Sequence, residues 1–101
     1  MAVRDAYTER ILSRIRAIPK GFVRTYGDID PRAPRMVGRV LATTDAKVPW
    51  QRVVRADGTV TQGPRQLELL RREGVALRGQ RVDLTAARLT IDPVARSRKP
   101  R

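Results

Sequence analysis

Apolar residues recur every three or four positions near the start of the chain, which is the period of an α-helix that buries one face. The stripe consists of Val3, Tyr7, Ile11, Ile15 and Ile18. Arginines occupy much of the remaining surface, and Pro19 ends the pattern because proline lacks the backbone donor that a helix needs. The sequence therefore predicts an amphipathic helix with a basic outer face.

A second helical pattern runs from Pro34, a residue type favoured in the first helical turn, to about Thr43. The residues predicted to face the core are Met36, Val37, Val40 and Leu41. The opposite face carries Arg35, Gly38, Arg39 and Ala42. Small residues let a helix backbone approach a groove while arginines meet phosphate. Thr25 is predicted to cap a single helical turn that precedes this helix. The short helix, the connecting turn and this helix together make a helix-turn-helix.

The second half of the chain mixes a helix with short strands. Valines around Asp57-Gly58 predict a β-hairpin over residues 51–60, and alternation across residues 75–84 predicts a second hairpin, or wing. Residues 64–73 are predicted to be a helix with Leu67 and Leu70 inward, ended by Gly74. The expected fold is mainly α with small β-hairpins, of the winged helix-like, helix-turn-helix type.

The charge indicates the class of partner. Lys and Arg number 22 against 10 Asp and Glu, a net charge of +12, so DNA or RNA is the first partner to consider, with a ribosomal or nucleoid protein left open. The absence of cysteine and histidine excludes disulfides, thiolate chemistry and the usual zinc sites, and no metal or cofactor is predicted. Without an apolar run of about 18 residues or a signal-peptide core, a cytoplasmic protein that does not enter membranes is expected, nucleoid-associated if bacterial.

Several ordered segments carry a resemblance to a known family. They read I-P-K-G-F-V-R-T-Y-G-D-I at 18–29, P-R-M-V-G at 34–38, P-W-Q-R-V at 49–53 and L-L-R-R-E-G at 69–74. In this order they resemble the DNA-binding domain of the O6-alkylguanine-DNA alkyltransferases, whose patterns run I-P-x-G-x-V-x-T-Y-G-x-I, A-R-A-V-G, P-C-H-R-V and L-L-x-x-E-G. The chain departs from the family in a shorter connection at residues 30–33.

The alkyl-accepting cysteine of that family is replaced here by Trp50. The chain therefore resembles more closely the alkyltransferase-like proteins, which bind the same damaged DNA and transfer nothing. Gln51 replaces the histidine that helps form the thiolate through water and a glutamate, and Glu73 matches that glutamate. The resemblance implies a protein that is not an enzyme and has no catalytic residue.

The resemblance also implies how DNA is bound. Arg35 matches an arginine that enters the base stack and fills the space of an extruded nucleotide, and Tyr26 matches a tyrosine against the phosphate 3′ to it. Thr25 and Gly27 are expected to offer backbone amides to phosphate, and Gly38 and Arg39 to complete the surface. In isolation, Arg35 also fits a phosphate-binding arginine and Tyr26 a packing residue.

A lesion pocket is expected around Trp50, because an indole can stack on an alkylated purine. From spacing alone, a single tryptophan is more typical of a core. The expected lining is Tyr26, Val48, Pro49, Trp50, Gln51, Arg52, Gly63, Pro64 and Arg65.

The function predicted from the sequence is that of a monomeric, non-enzymatic sensor. It would bind duplex DNA containing O6-alkylguanine, flip the base into the pocket and flag the site for nucleotide excision repair proteins. The alternatives are a winged-helix regulator that reads DNA sequence with Arg35 and Arg39, and an alkyltransferase with another nucleophile. Residues 1–89 are expected to form the DNA-binding domain, and residues 90–101 a disordered basic tail.

Overall fold

The computed structural model describes residues 5–89, so the predicted tail at 90–101 lies outside the described residues. The elements in chain order are α1 (Ala6–Arg16), β1 (Arg24–Thr25), α2 (Tyr26–Ile29), α3 (Pro34–Thr43), a 3₁₀ turn (Trp50–Arg52), β2 (Val53–Val54), α4 (Gly63–Arg72), β3 (Leu77–Arg78), β4 (Arg81–Val82) and α5 (Leu84–Ala87). The prediction of a mainly helical fold with small strand pairs and a helix-turn-helix is confirmed. No helix within residues 5–89 is long and apolar enough to cross a membrane.

The first core cluster lies where α1 packs against α2 and α3. Asp5 caps α1 by accepting a hydrogen bond from the Thr8 amide at 2.7 Å. The helix then buries Ile11, Leu12 and Ile15, while Tyr7 of the predicted stripe is half-buried and Val3 lies outside the described residues. The buried members of this cluster are Ile11, Leu12, Ile15, Ile18, Ile29, Val37, Val40 and Val53. Burial of so many branched side chains fixes the helix-turn-helix on α1.

Local hydrogen bonds shape α2 and the turn that follows it. The Thr25 hydroxyl accepts from the Asp28 amide at 3.1 Å and the Asp28 carboxylate accepts from the Thr25 amide at 3.0 Å, so the predicted cap is a capping box. In the short connection, the Asp30 carboxylate accepts from the Arg32 amide at 3.0 Å and from the Tyr7 hydroxyl at 2.6 Å. The turn is thereby tied to α1.

Helix α3 has the predicted bounds, but one predicted core residue lies outside the core. Val37 and Val40 are buried and Leu41 is half-buried, whereas Met36 is 38% exposed, so its predicted burial is wrong. Successive helical residues are about 100° apart, and Met36 falls at the edge of an interface centred on Val37 and Val40.

The hairpin predicted over residues 51–60 is also wrong. β2 pairs in parallel with β1, with Arg24 opposite Val53 and Thr25 opposite Val54. Both valines are buried, as in strands covered on both faces. The predicted turn does form, since Gly58 has φ +88° and its amide donates to the Arg55 carbonyl at 2.8 Å.

The predicted wing is confirmed as the antiparallel pair of β3 and β4. It packs with α4 and α5 in a second cluster, in which Leu70 is buried as predicted. Leu67 of α4 is only half-buried and is not a member of this cluster. After α5, Arg88 donates two hydrogen bonds to the Asp28 carboxylate, at 2.9 and 2.7 Å. Burial opposes ionisation of Asp28, but these bonds and the Thr25 amide together lower its pKa. The segment after α5 is therefore tied to α2 through Arg88.

Candidate nucleic-acid interface

An open cavity of about 710 Å³ lies beside the helix-turn-helix. Ligand sites commonly have volumes of roughly 300–1,000 Å³, so this cavity has room for a nucleobase with a substituent. The residues of α2 and α3 on its wall are Tyr26, Pro34, Arg35, Gly38, Leu41 and Ala42. The residues from the 3₁₀ turn to α4 are Trp50, Arg55, Thr61, Gln62 and Arg65.

The structure brings five of the predicted site residues to this cavity. They are Tyr26, Arg35, Gly38, Trp50 and Arg65. Arg35 is exposed in the first turn of α3, where its side chain is free of the core. The Tyr26 hydroxyl lies 3.2 Å from the Thr61 hydroxyl, so a hydrogen bond joins α2 to the opposite wall.

Trp50 lies on the cavity wall at the start of the 3₁₀ turn. Its backbone amide donates to the Val48 carbonyl at 2.7 Å, and its side chain is half-buried. The Arg65 guanidinium carbon is 5.6 Å from the indole ring centroid, within cation–π range. The indole is therefore a cavity residue and not part of either apolar core cluster.

A buried glutamine that sequence reasoning missed fixes this wall. Gln66 of α4 is 1% exposed, and its amide nitrogen donates to the carbonyls of Gln51 and Val53, each at 3.0 Å. Its amide oxygen accepts from the Gln62 backbone at 3.1 Å. Because a buried amide is costly unless its hydrogen bonds are made, these contacts specify how α4 meets the 3₁₀ turn.

Gln51 and Arg52, predicted to line the lesion pocket, are not among the residues that line this cavity. Gln51 donates to a Glu73 oxygen at 2.7 Å, and Arg52 donates to both Glu73 oxygens at 2.9 Å and to the Ile18 carbonyl at 2.8 Å. The hydrogen bonds from Arg52 outweigh burial and lower the pKa of Glu73. Contacts with one carboxylate account for these positions, since Glu73 accepts a hydrogen bond from Gln51 and forms an ion pair with Arg52.

Four other residues predicted to line the pocket are not among the residues that line this cavity. Val48 packs on the first core cluster, and Pro49 precedes the 3₁₀ turn. Gly63 and Pro64 form the first turn of α4, which presents Arg65. Proline and a glycine with φ +62° set the backbone there, so their role is conformational.

The Thr25 amide, which is predicted to contact phosphate, is engaged within the protein. Thr25 is 4% exposed, and Asp28 already accepts a hydrogen bond from that amide. Gly27, at the second position of α2, retains an amide that the helix geometry leaves without an intrahelical acceptor. Arg39 is exposed on α3 but is not in the cavity lining. The phosphate contacts of Thr25, Gly27 and Arg39 stay predictions.

The cavity wall is strongly cationic. It carries Arg35, Arg55 and Arg65, and no carboxylate is among its lining residues.

Sequence reasoning missed part of this wall, namely Pro34, Leu41, Ala42, Arg55, Thr61 and Gln62. Ala42 was already placed on the exposed face of α3 by its spacing, and Thr61 and Gln62 directly precede the predicted Gly63. Within residues 5–89 no cluster of acidic side chains could hold a metal ion.

Comparison with known proteins agrees with this geometry. Residues 6–75 match the family model of the 6-O-methylguanine DNA methyltransferase, DNA binding domain. The chain belongs to this family. Because Trp50 replaces the family's cysteine, the chain groups with the alkyltransferase-like proteins.

Within the 6-O-methylguanine DNA methyltransferase family, the chain is similar to the DNA base-flipping protein of Escherichia coli (strain K12), with 40% identity over 96 residues, or 83% of this chain and 74% of that protein. The structure of S. pombe ATL in complex with DNA has a TM-score of 0.64 and 26% identity, covering 80% of this chain and 89% of that one. S. pombe Atl1 in complex with damaged DNA containing O6-carboxymethylguanine has a TM-score of 0.71 and 24% identity, covering 87% and 98%, and supports the fold.

Proposed function

We propose that this protein is a non-enzymatic sensor of alkylated DNA. It binds the duplex through α3, rotates an O6-alkylguanine out of the stack, and holds the base against Trp50 in the cavity. The observation that carries the proposal is the base-sized, cationic cavity beside a helix-turn-helix, with an indole where the alkyltransferases have a thiol.

The energetics of extrusion explain the arrangement. Taking a nucleotide out of a duplex costs roughly a few kcal/mol, and less when its base pair is already weakened by damage. Arg35, exposed beside the cavity, can stack in the gap that the nucleotide leaves. Trp50 and Arg65 then offer the extruded purine an aromatic and a cationic surface.

Similar proteins support this proposal. The E. coli relative is named for base flipping, and the S. pombe ATL structure is a complex with DNA. We further propose that the bound site is passed to nucleotide excision repair, a step that rests on the resemblance alone. The protein acts as a monomer in this proposal.

A titration with matched duplexes tests the proposal. Duplexes with and without one O6-methylguanine should bind with different affinities at several salt concentrations, and Trp50, the only tryptophan, should be quenched more by the damaged duplex. Equal affinities and equal quenching would reject the sensor. Fragments selected from random undamaged DNA should share no motif, because a shared motif would favour a regulator that reads sequence.

Restoring the cysteine should not restore transfer. In Trp50→Cys, the neighbouring Gln51 cannot act as a base, and Glu73 already accepts hydrogen bonds from Gln51 and Arg52. The thiol therefore lacks the relay that forms a thiolate. We expect no mass increase of the variant after incubation with O6-methylguanine DNA on the single-turnover time scale. Rapid addition of one methyl group would show that the relay is unnecessary.

A further inference from the structure

Arg55 is presented to the cavity from a rigid turn. Its amide donates to the Thr59 carbonyl at 2.9 Å, and its carbonyl accepts from the Gly58 amide at 2.8 Å. The Gly58 carbonyl accepts from the Val82 amide at 2.9 Å, and a Cβ added at Gly58 would lie 2.5 Å from the Val82 oxygen. Close contact with β4 therefore fixes the backbone that carries Arg55.

The Arg55 guanidinium has few interactions within the protein. Among the described residues, its one hydrogen bond is to the Thr59 hydroxyl at 3.4 Å, which is long and exposed. Within residues 5–89 no carboxylate forms an ion pair with it, in contrast to Arg52, whose donors are used by Glu73. An exposed guanidinium with free donors is suited to bidentate binding of an anion.

The path of the DNA backbone indicates which anion this is. An extruded nucleotide stays bonded to the phosphates on both sides, so their charges follow it to the edge of the cavity. Arg35 belongs to α3 and fills the stack in the proposed function, and Arg65 lies against Trp50. Arg55 lies on the cavity wall opposite α3, and it is the arginine of the lining that has no part in the proposed function.

We propose that Arg55 binds a backbone phosphate that flanks the extruded nucleotide. This inference rests on the proposed function, because only extrusion brings that phosphate to the cavity. An anionic substituent on O6, such as a carboxymethyl group, would offer similar oxygens from inside the cavity. A duplex with a neutral O6-methyl lesion distinguishes these two sources, because the phosphates are then the only anionic groups of the DNA.

Salt dependence of binding provides the test. Wild type, Arg55→Gln and the control Arg16→Gln, an exposed arginine at the end of α1, are titrated with O6-methylguanine duplex. The slope of log K against log salt is negative, and loss of one phosphate contact should make it less negative by about 0.9. The ratio of the wild-type affinity to that of Arg55→Gln should therefore fall roughly threefold between about 50 and 200 mM salt. The control Arg16→Gln should change the slope by less than half as much as Arg55→Gln does.

Methylphosphonates placed singly beside the lesion identify the phosphate. One neutral linkage should weaken wild type several-fold and leave Arg55→Gln unaffected, with the same pattern for O6-methyl and O6-carboxymethyl lesions. An unchanged slope, or an effect confined to the carboxymethyl lesion, would overturn the phosphate contact and leave the sensor standing. Wild type without any lesion preference would instead overturn the proposed function, and this inference with it.

Discussion

Arg35→Ala is expected to reduce the preference for O6-alkylguanine over guanine by roughly tenfold or more, which corresponds to about 1.4 kcal/mol. The guanidinium is planar and exposed beside the cavity, so it can stack on the base pairs next to the gap. Alanine is too short to fill this space, and the extruded state loses that stabilisation. Undamaged duplex, from which no base is extruded, loses only one cationic contact.

The comparison needs variants that separate charge from shape. Affinities for damaged and undamaged duplexes are measured for Arg35→Ala, Arg35→Lys and the control Arg16→Ala. Lysine keeps the charge but not the planar group, so Arg35→Lys should resemble alanine in lesion preference and wild type on undamaged DNA. Equal weakening on both duplexes by Arg35→Ala would make Arg35 a phosphate contact only.

The parts of the fold that depend on local sequence were predictable. Pro34 favours the first turn of a helix, and the spacing of Val37 and Val40 sets its buried face, so α3 has the predicted bounds. The pairing of β2 with β1 joins segments that are distant in the chain, and the turn at Gly58 suggested a local hairpin instead. Burial of both Val53 and Val54 was the pattern that favoured a parallel strand.

The part of the site that lies within sequence motifs was predictable. The segments around Tyr26, Arg35 and Trp50 identified residues that the fold brings to one cavity. The polar contacts that shape the cavity link different elements, so no spacing within one helix reveals them. In the sequence, Gln66 is typical of a surface residue of α4, but in the fold it is buried against the carbonyls of Gln51 and Val53. Arg52 was predicted to line the pocket, but in the fold it forms an ion pair with Glu73.

Glu73 retains a structural role in a chain that has lost the cysteine. Its carboxylate joins the end of α4 to the 3₁₀ turn through Gln51 and Arg52, and Arg52 also reaches the Ile18 carbonyl after α1. This network holds the segment that carries Trp50. The residue that matches the family's proton relay can thus be required for the shape of the cavity, independently of any transfer.

Glu73→Gln should lower the free energy of unfolding by about 2 kcal/mol at neutral pH, because it leaves the Arg52 guanidinium largely buried without a counter-charge. The side chains of Arg52 and Glu73 are 16% and 13% exposed, which places the expected loss below that of a fully buried pair. The control Glu68→Gln, whose carboxylate is 49% exposed beside Arg72, should cost less than about 0.5 kcal/mol. Urea unfolding followed by Trp50 fluorescence measures both.

The pH dependence of that loss tests its electrostatic origin. The pKa of Glu73 is lower in the folded protein than in the unfolded chain, so its contribution is complete above the unfolded value, about 4.3, and disappears as the pH falls through the folded value. The stability difference between wild type and Glu73→Gln should therefore be constant from pH 8 to about pH 5 and shrink in more acidic solution. A difference that persists unchanged at acidic pH would show that packing, and not the charge of Glu73, holds the 3₁₀ turn against α4.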